Sequence, residues 1–135
     1  MKRIVLGVSV LLMLVQNGFA GEKENLALAN QYKHQKALYQ VLLCENEMSY
    51  HDKNGDANIC IKAAKYINQG EDLGILSKDK QKYIVESYLN AGVIYSHQSD
   101  KLNAYKYSMK AAKLGSIQAQ KNLNIMCKES QWACK

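Results

Sequence analysis

The sequence predicts an all-α fold, a short α-solenoid of about five helices paired as antiparallel hairpins and stapled by two disulfides, and three observations carry that prediction. No proline occurs in the 135 residues, and the glycines beyond the N-terminal segment fall mainly where helices should end or pack closely. Apolar residues recur at spacings of three and four, the period of a buried helical face. The tetrapeptide Lys62-Ala63-Ala64-Lys65 returns as Lys110-Ala111-Ala112-Lys113, each time late in the second helix of a predicted hairpin and followed shortly by glycine. Alanine pairs at those positions let two helix backbones approach.

Residues 1–20 read as a removable secretion signal. Lys2 and Arg3 form the positive region, residues 4–15 the apolar core, and Gly18-Phe19-Ala20 the small residues at the cleavage position. The apolar core falls short of the roughly 18 to 20 residues that a bilayer span needs, which argues against an uncleaved anchor. No cysteine follows it near the cleavage position to carry a lipid. A single domain over residues 21–135 is expected, in the periplasm or secreted, with no stable membrane insertion after cleavage.

The elements follow in order. A first helix over 24–50 carries Leu28, Tyr32, Tyr39 and Leu42 at helical spacing. A polar break at 51–56 precedes a second helix to residue 68, with Ile59, Ala63, Tyr66 and Ile67 on one face and Gly70 beyond its end. These two make a divergent hairpin over 24–70. Ser77 or Asp79 caps a third helix that runs to residue 96, with Ile84, Tyr88, Ala91 and Tyr95 on one face and Val85, Leu89 and Val93 on another. Two apolar faces imply burial between neighbours. A fourth helix over 102–114 ends at Gly115 and completes a hairpin over 78–115. A fifth over 116–127 carries Ala119, Leu123 and Met126, and the remaining residues of the 116–135 segment fold back on it if Cys134 meets Cys127.

Four cysteines in a secreted chain of this size read as two disulfides. Of the three possible connectivities, Cys44–Cys60 with Cys127–Cys134 is preferred, because each pair flanks a predicted turn. Structural zinc is disfavoured, since neither pair has the C-x(2–4)-C spacing and no histidine lies close in sequence to complete a site. A stack of so few hairpins has a small core, so the disulfides, the tail or a second copy must help to cover it.

The formal net charge of +6 falls to +4 once Lys2 and Arg3 leave with the signal. Arg3 is the only arginine, so the mature chain lacks the bidentate donor most used on phosphate and guanine, and its lysines are scattered over all the helices. No nucleic-acid partner is expected.

The run Asn90-Ala91-Gly92-Val93-Ile94-Tyr95, then Ala104, Tyr107, Lys110-Ala111-Ala112, Leu114-Gly115 and Ala119-Gln120-Lys121-Asn122-Leu123 resembles a Sel-one-like repeat, one of the tetratricopeptide-type helical hairpins. The resemblance covers one full repeat and the opening helix of the next, roughly a quarter of the chain. It implies a right-handed solenoid that recognises protein in a shallow concave surface lined by the first helix of each hairpin. On that helix Tyr83, Glu86, Asn90 and His97 form the more polar stripe and are the candidate partner-binding residues. Two departures stand out: the loop at 97–101 lacks the family's glycine-rich insertion, and Ser87 stands where alanine is usual. Some secreted, cysteine-bearing members of the family have been linked to β-lactam binding.

Chemical motifs are weaker. The segment from Asp52 to Ile59 starts like an EF-hand loop, but Ala57 occupies the position that needs glycine and Ala63 the position of the closing glutamate, so a polar turn with an Asp or Asn cap accounts for it better. Ser77-Lys78-Asp79-Lys80 fits the S-x-x-K pattern of penicillin-recognising enzymes without the companion elements of that fold. His34, His51 and His97 have no triad or metalloprotease context. No catalytic residue, metal or cofactor is therefore expected. The function predicted is a protein-binding module, in its narrower form an immunity protein that neutralises a secreted bacterial toxin; the competing class is an envelope enzyme or small-ligand binder acting on β-lactams or peptidoglycan fragments.

Overall fold

A computed structural model describes residues 22–32, 34–50, 54–70 and 73–134. The expected signal segment and the cleavage position lie outside these residues. The described chain is all-helical: α1 (Glu22–Gln31), α2 (Lys36–Tyr50), α3 (Ala57–Gln69), a 3-10 turn (Gly74–Asp79), α4 (Lys80–His97), α5 (Lys101–Lys113), α6 (Ile117–Glu129) and a second 3-10 turn (Gln131–Cys134). Each helix packs against the one before it and the one after it, and α2 also touches α4.

Six helices replace the expected five because the run over 24–50 is two helices. No proline or glycine marks the break. The amide nitrogens of Tyr32 and Gln35 bond to Ala29 and Tyr32 carbonyls as the chain turns, and α1 folds back to bury Ala29 against α2. The Gln35 side chain lies against Gly74, in space that a Cβ at position 74 would fill. A tertiary contact thus fixes the corner.

The other ends follow local chemistry. The Asp56 carboxylate accepts from the Asn58 amide at 2.9 Å and caps α3, which ends where Gly70 turns to φ +79° and its amide returns to the Ile67 carbonyl. Asp100 caps α5 through the Asn103 amide at 3.2 Å, and the Ser116 hydroxyl caps α6 through the Ala119 amide at 3.0 Å. Asp79 occupies the cap position of α4 without making a side-chain cap bond, because the 3-10 turn runs straight into the helix.

Two cores result. The larger joins α2, α3, the first 3-10 turn and one face of α4 around fully buried Leu38, Val41, Ile67, Leu76, Tyr83 and Ile94. The smaller joins the other face of α4 to α5 and α6 through Leu89, Ala111 and Ala119, with Val85 and Val93 alongside. The two apolar faces expected of this helix each pack on a core, with Val85, Tyr88, Val93 and Tyr95 only half-buried. Both repeated tetrapeptides bury alanine, Ala63 and Ala64 in α3 and Ala111 in α5, and hold their lysines in solvent.

The cysteines pair as preferred. Cys44–Cys60 ties α2 to α3 with Cα atoms 4.7 Å apart, and both cysteines are fully buried. Cys127–Cys134 ties α6 to the tail at a Cα separation of 4.5 Å. Loop lengths of 16 and 7 residues correspond to about 3 and about 2 kcal/mol of restricted unfolded chain.

Candidate functional site

α4 is the axis of the site. Gly92 lets α5 approach it closely: a Cβ there would stand 2.8 Å from the Ser108 hydroxyl and 3.2 Å from its amide nitrogen. α5 lies close on α4, α6 packs on α5 through Ala111 and Ala119, and a groove remains between α4 and α6. One end, about 530 Å³, is walled by Lys82, Val85, Glu86 and Leu89 of α4 and by Leu114 and Ile117 at the α5–α6 turn. The other end, about 250 Å³, lies over Gly92 and Ser108 between Val93 and His97 of α4 and Ile125, Met126 and Glu129 of α6.

The candidate residues divide. Glu86 and His97 line opposite ends of the groove. Tyr83 and Asn90 do not belong to any exposed stripe: both are buried, Tyr83 within the larger core and Asn90 with its amide 3.7 Å from the Cys44 sulfur. Tyr83, Ser87 and Asn90 follow one another at four and three residues along one buried helical face, so their polar tips mislead a reading from sequence. Burial, and secondarily the charge of Asp79, pushes the Tyr83 phenol above its ordinary range. Its hydroxyl has no hydrogen-bond partner, and neither does the buried Ser87 hydroxyl.

The groove residues missed from sequence are Lys82, Val93, Ile117 and Ile125. Val85, Leu89 and Val93 were legible as a second apolar face, and Ile117 with Ile125, two turns apart, form an apolar stripe on the last helix. Ile117 and Ile125 remain 69% and 55% exposed, which sets them apart from the buried aliphatics of the larger core.

On the other side of the α4–α5 pair, Tyr107 stacks between Tyr88 and Tyr95, with ring centroids 6.0 and 5.8 Å away. Lys110 stands over Tyr88 at 5.5 Å. Burial raises the pKa of the Tyr95 phenol, helped by Tyr107, Asp100 and Asp56. These rings are packing elements between helices.

Chemical motifs find little support in position. Ser77 is exposed on the 3-10 turn before α4. Asp56 of the EF-hand-like segment is committed to capping α3, and its amide donates to the Glu47 carboxylate at 2.7 Å. His34 is exposed, while His51 lies outside the described residues. Among the described residues, no three His, Cys, Asp or Glu side chains gather as a metal site, and no helix is long and apolar enough to cross a membrane. No protein-family model, curated protein or solved structure matches this chain.

Proposed function

We propose that this chain is a short, right-handed α-solenoid of the Sel-one-like kind that binds another protein in the α4–α6 groove and carries out no chemistry itself. The observation that carries this reading is the apolar lining left open there, Ile117 and Ile125 beside half-buried Val85 and Val93, whereas most other large aliphatics among the described residues are buried or half-buried. Exposed apolar residues grouped along a groove mark an interaction surface. Two disulfides fit an oxidising, extracytoplasmic compartment.

Charge selects the partner. Residues 98–135 hold seven lysines against two acidic residues, whereas residues 21–97 hold nine lysines against ten acids. Only the α5–α6 wall of the groove belongs to this basic half, and the α4 wall sets Lys82 beside Glu86, so the occupant is a protein that presents apolar side chains with its acidic groups towards α5 and α6. In a bacterial periplasm the narrower form is an immunity protein, with a secreted toxin as that acidic partner.

Capture of partners by the oxidised mature protein, compared with capture by Ile125→Asp and Ile117→Asp variants, tests the groove. Both positions are exposed, so the variants should keep wild-type helicity and melting temperature while losing the partner, and capture should weaken as salt is raised. A partner retained equally by both variants would place binding elsewhere. For the narrower form, expression of the chain should protect cells from the captured toxin, and unprotected cells would rule it out.

A further inference from the structure

The turn between α4 and α5, the end of α6 and the C-terminal tail enclose a second pocket of about 270 Å³. It adjoins the groove, sharing Ser96, Met126 and Glu129 with it, but its outer wall is the tail. We propose that this pocket binds the ring of a neutral saccharide, with Trp132 as the stacking platform. The proposal goes beyond the protein-binding reading and stands without it.

Three features build the site. Trp132 is held in place although it is 43% exposed: the Cys127–Cys134 disulfide closes the tail back on α6, Ala133 is buried beside it, and the Tyr105 ring meets the indole edge to face at 5.3 Å. An aromatic surface fixed before binding loses little freedom when a ligand arrives. The remaining lining is hydroxyl-rich, with Ser96, Ser99 and Ser130, and its one cation and one anion, Lys101 and Glu129, offset each other. Serine hydroxyls both donate and accept, as sugar hydroxyls do. Such a lining is too polar for an apolar ligand, and with Lys101 and Glu129 in balance it has no net charge to select an anion or a cation.

The third feature is Ser99 itself, which adopts φ +62°, the only described residue other than glycine in the left-handed region. It sits where helix ends normally take glycine, with its amide bonded to the Ser96 carbonyl and the next amide, of Asp100, to the Tyr95 carbonyl. Nothing in the turn requires a side chain there. A hydroxyl at a position that favours glycine, on the wall of a pocket, fits a ligand contact.

Trp132 is the only tryptophan in the chain, so its emission reports on this pocket directly. The oxidised mature protein is titrated with glucose, N-acetylglucosamine and β-1,4-linked oligomers of the latter, following tryptophan emission and heat in parallel. At least one of these sugars should shift the emission saturably, with the same affinity by calorimetry. Tighter binding of the oligomers than of the monomer would identify a glycan chain, and equal binding a free sugar. Ser99→Gly, which relieves the backbone and should fold at least as well, should weaken binding about fivefold, the loss of one hydrogen bond. Trp132→Phe should weaken it further by calorimetry. Absence of both heat and emission change with every sugar would overturn the proposal, as would binding unchanged in Ser99→Gly and Trp132→Phe.

Discussion

The two faces of α4 are packed in different ways. Towards α2 and α3 it buries Tyr83, Ile84 and Ile94 among Leu38, Val41, Ile67 and Leu76, behind a disulfide with no solvent exposure. Towards α5 and α6 it buries Leu89 against two alanines, and Leu102, Leu114, Ile117 and Ile125 stay exposed. Alanine contacts bring helices close but remove little apolar area from water, since each buried methylene is worth about 0.8 kcal/mol. The N-terminal half is thus the scaffold that holds α4 in position. The C-terminal half gives up core for surface, and it supplies most of the tail pocket and the outer wall of the groove, whose inner wall is α4.

The sharpest way to break this comparison is a matched pair of truncations. Leu38→Ala removes a fully buried side chain from the larger core and should cost roughly 4 kcal/mol, near the upper end for such changes. Leu89→Ala, in the smaller core, should cost roughly 2 kcal/mol, because that site opens towards the groove and can relax. Denaturant midpoints of the two variants decide it; equal losses would mean that both halves are packed alike.

The disulfides extend the same contrast. Cys44→Ala with Cys60→Ala should cost about 3 kcal/mol and broaden the whole unfolding transition, since that bridge joins two helices of the scaffold. Cys127→Ala with Cys134→Ala should cost about 2 kcal/mol at most and free the tail, leaving the larger core intact. Amide exchange would show protection lost only around α6 and Trp132 in the second case. Protection lost throughout α2–α4 would contradict the division.

Gly92→Ala tests how closely the halves are joined. The new Cβ would stand 2.8 Å from the Ser108 hydroxyl and 3.4 Å from the Ala104 carbonyl oxygen, so α5 must move outwards, at about 2 kcal/mol. Combining it with Ser108→Gly removes the nearest atom and should recover part of that loss. The Ser108 amide at 3.2 Å stays, so recovery cannot be complete.

How far the sequence could be read follows the same line between local and tertiary causes. Helix period, the cap at Asp56, the glycine ends and the cysteine pairs were all legible, because each depends on residues near one another in the chain. The corner at 32–35 was not, since it depends on Gln35 meeting Gly74 across the fold. Tyr83 and Asn90 were assigned to a surface because their tips are polar. A helix clasped on two sides leaves only a narrow exposed sector, and Tyr83 and Asn90 fall outside it. The chain reversal that carries Trp132 was legible from the Cys127–Cys134 pair, but its contact with Tyr105 was not, since that ring comes from α5.

The smallest effect concerns one of those misread residues. The Tyr83 hydroxyl is buried in the scaffold core without a hydrogen-bond partner, so Tyr83→Phe should be neutral or stabilise the protein by about 1 kcal/mol at pH 7. The effect should grow in alkali. Because burial and Asp79 raise the phenol's pKa in the folded state, the unfolded chain releases that proton more readily. Stability that is fully present below the ordinary phenol pKa of about 10 is then lost as the pH rises beyond it. Tyr83→Phe should therefore move the midpoint of alkaline unfolding to higher pH. Tyr95, raised by burial and then by Tyr107, Asp100 and Asp56, would leave a residual sensitivity in that variant. An unchanged midpoint would mean that the Tyr83 hydroxyl reaches solvent and that the scaffold face of α4 is as open as the groove face.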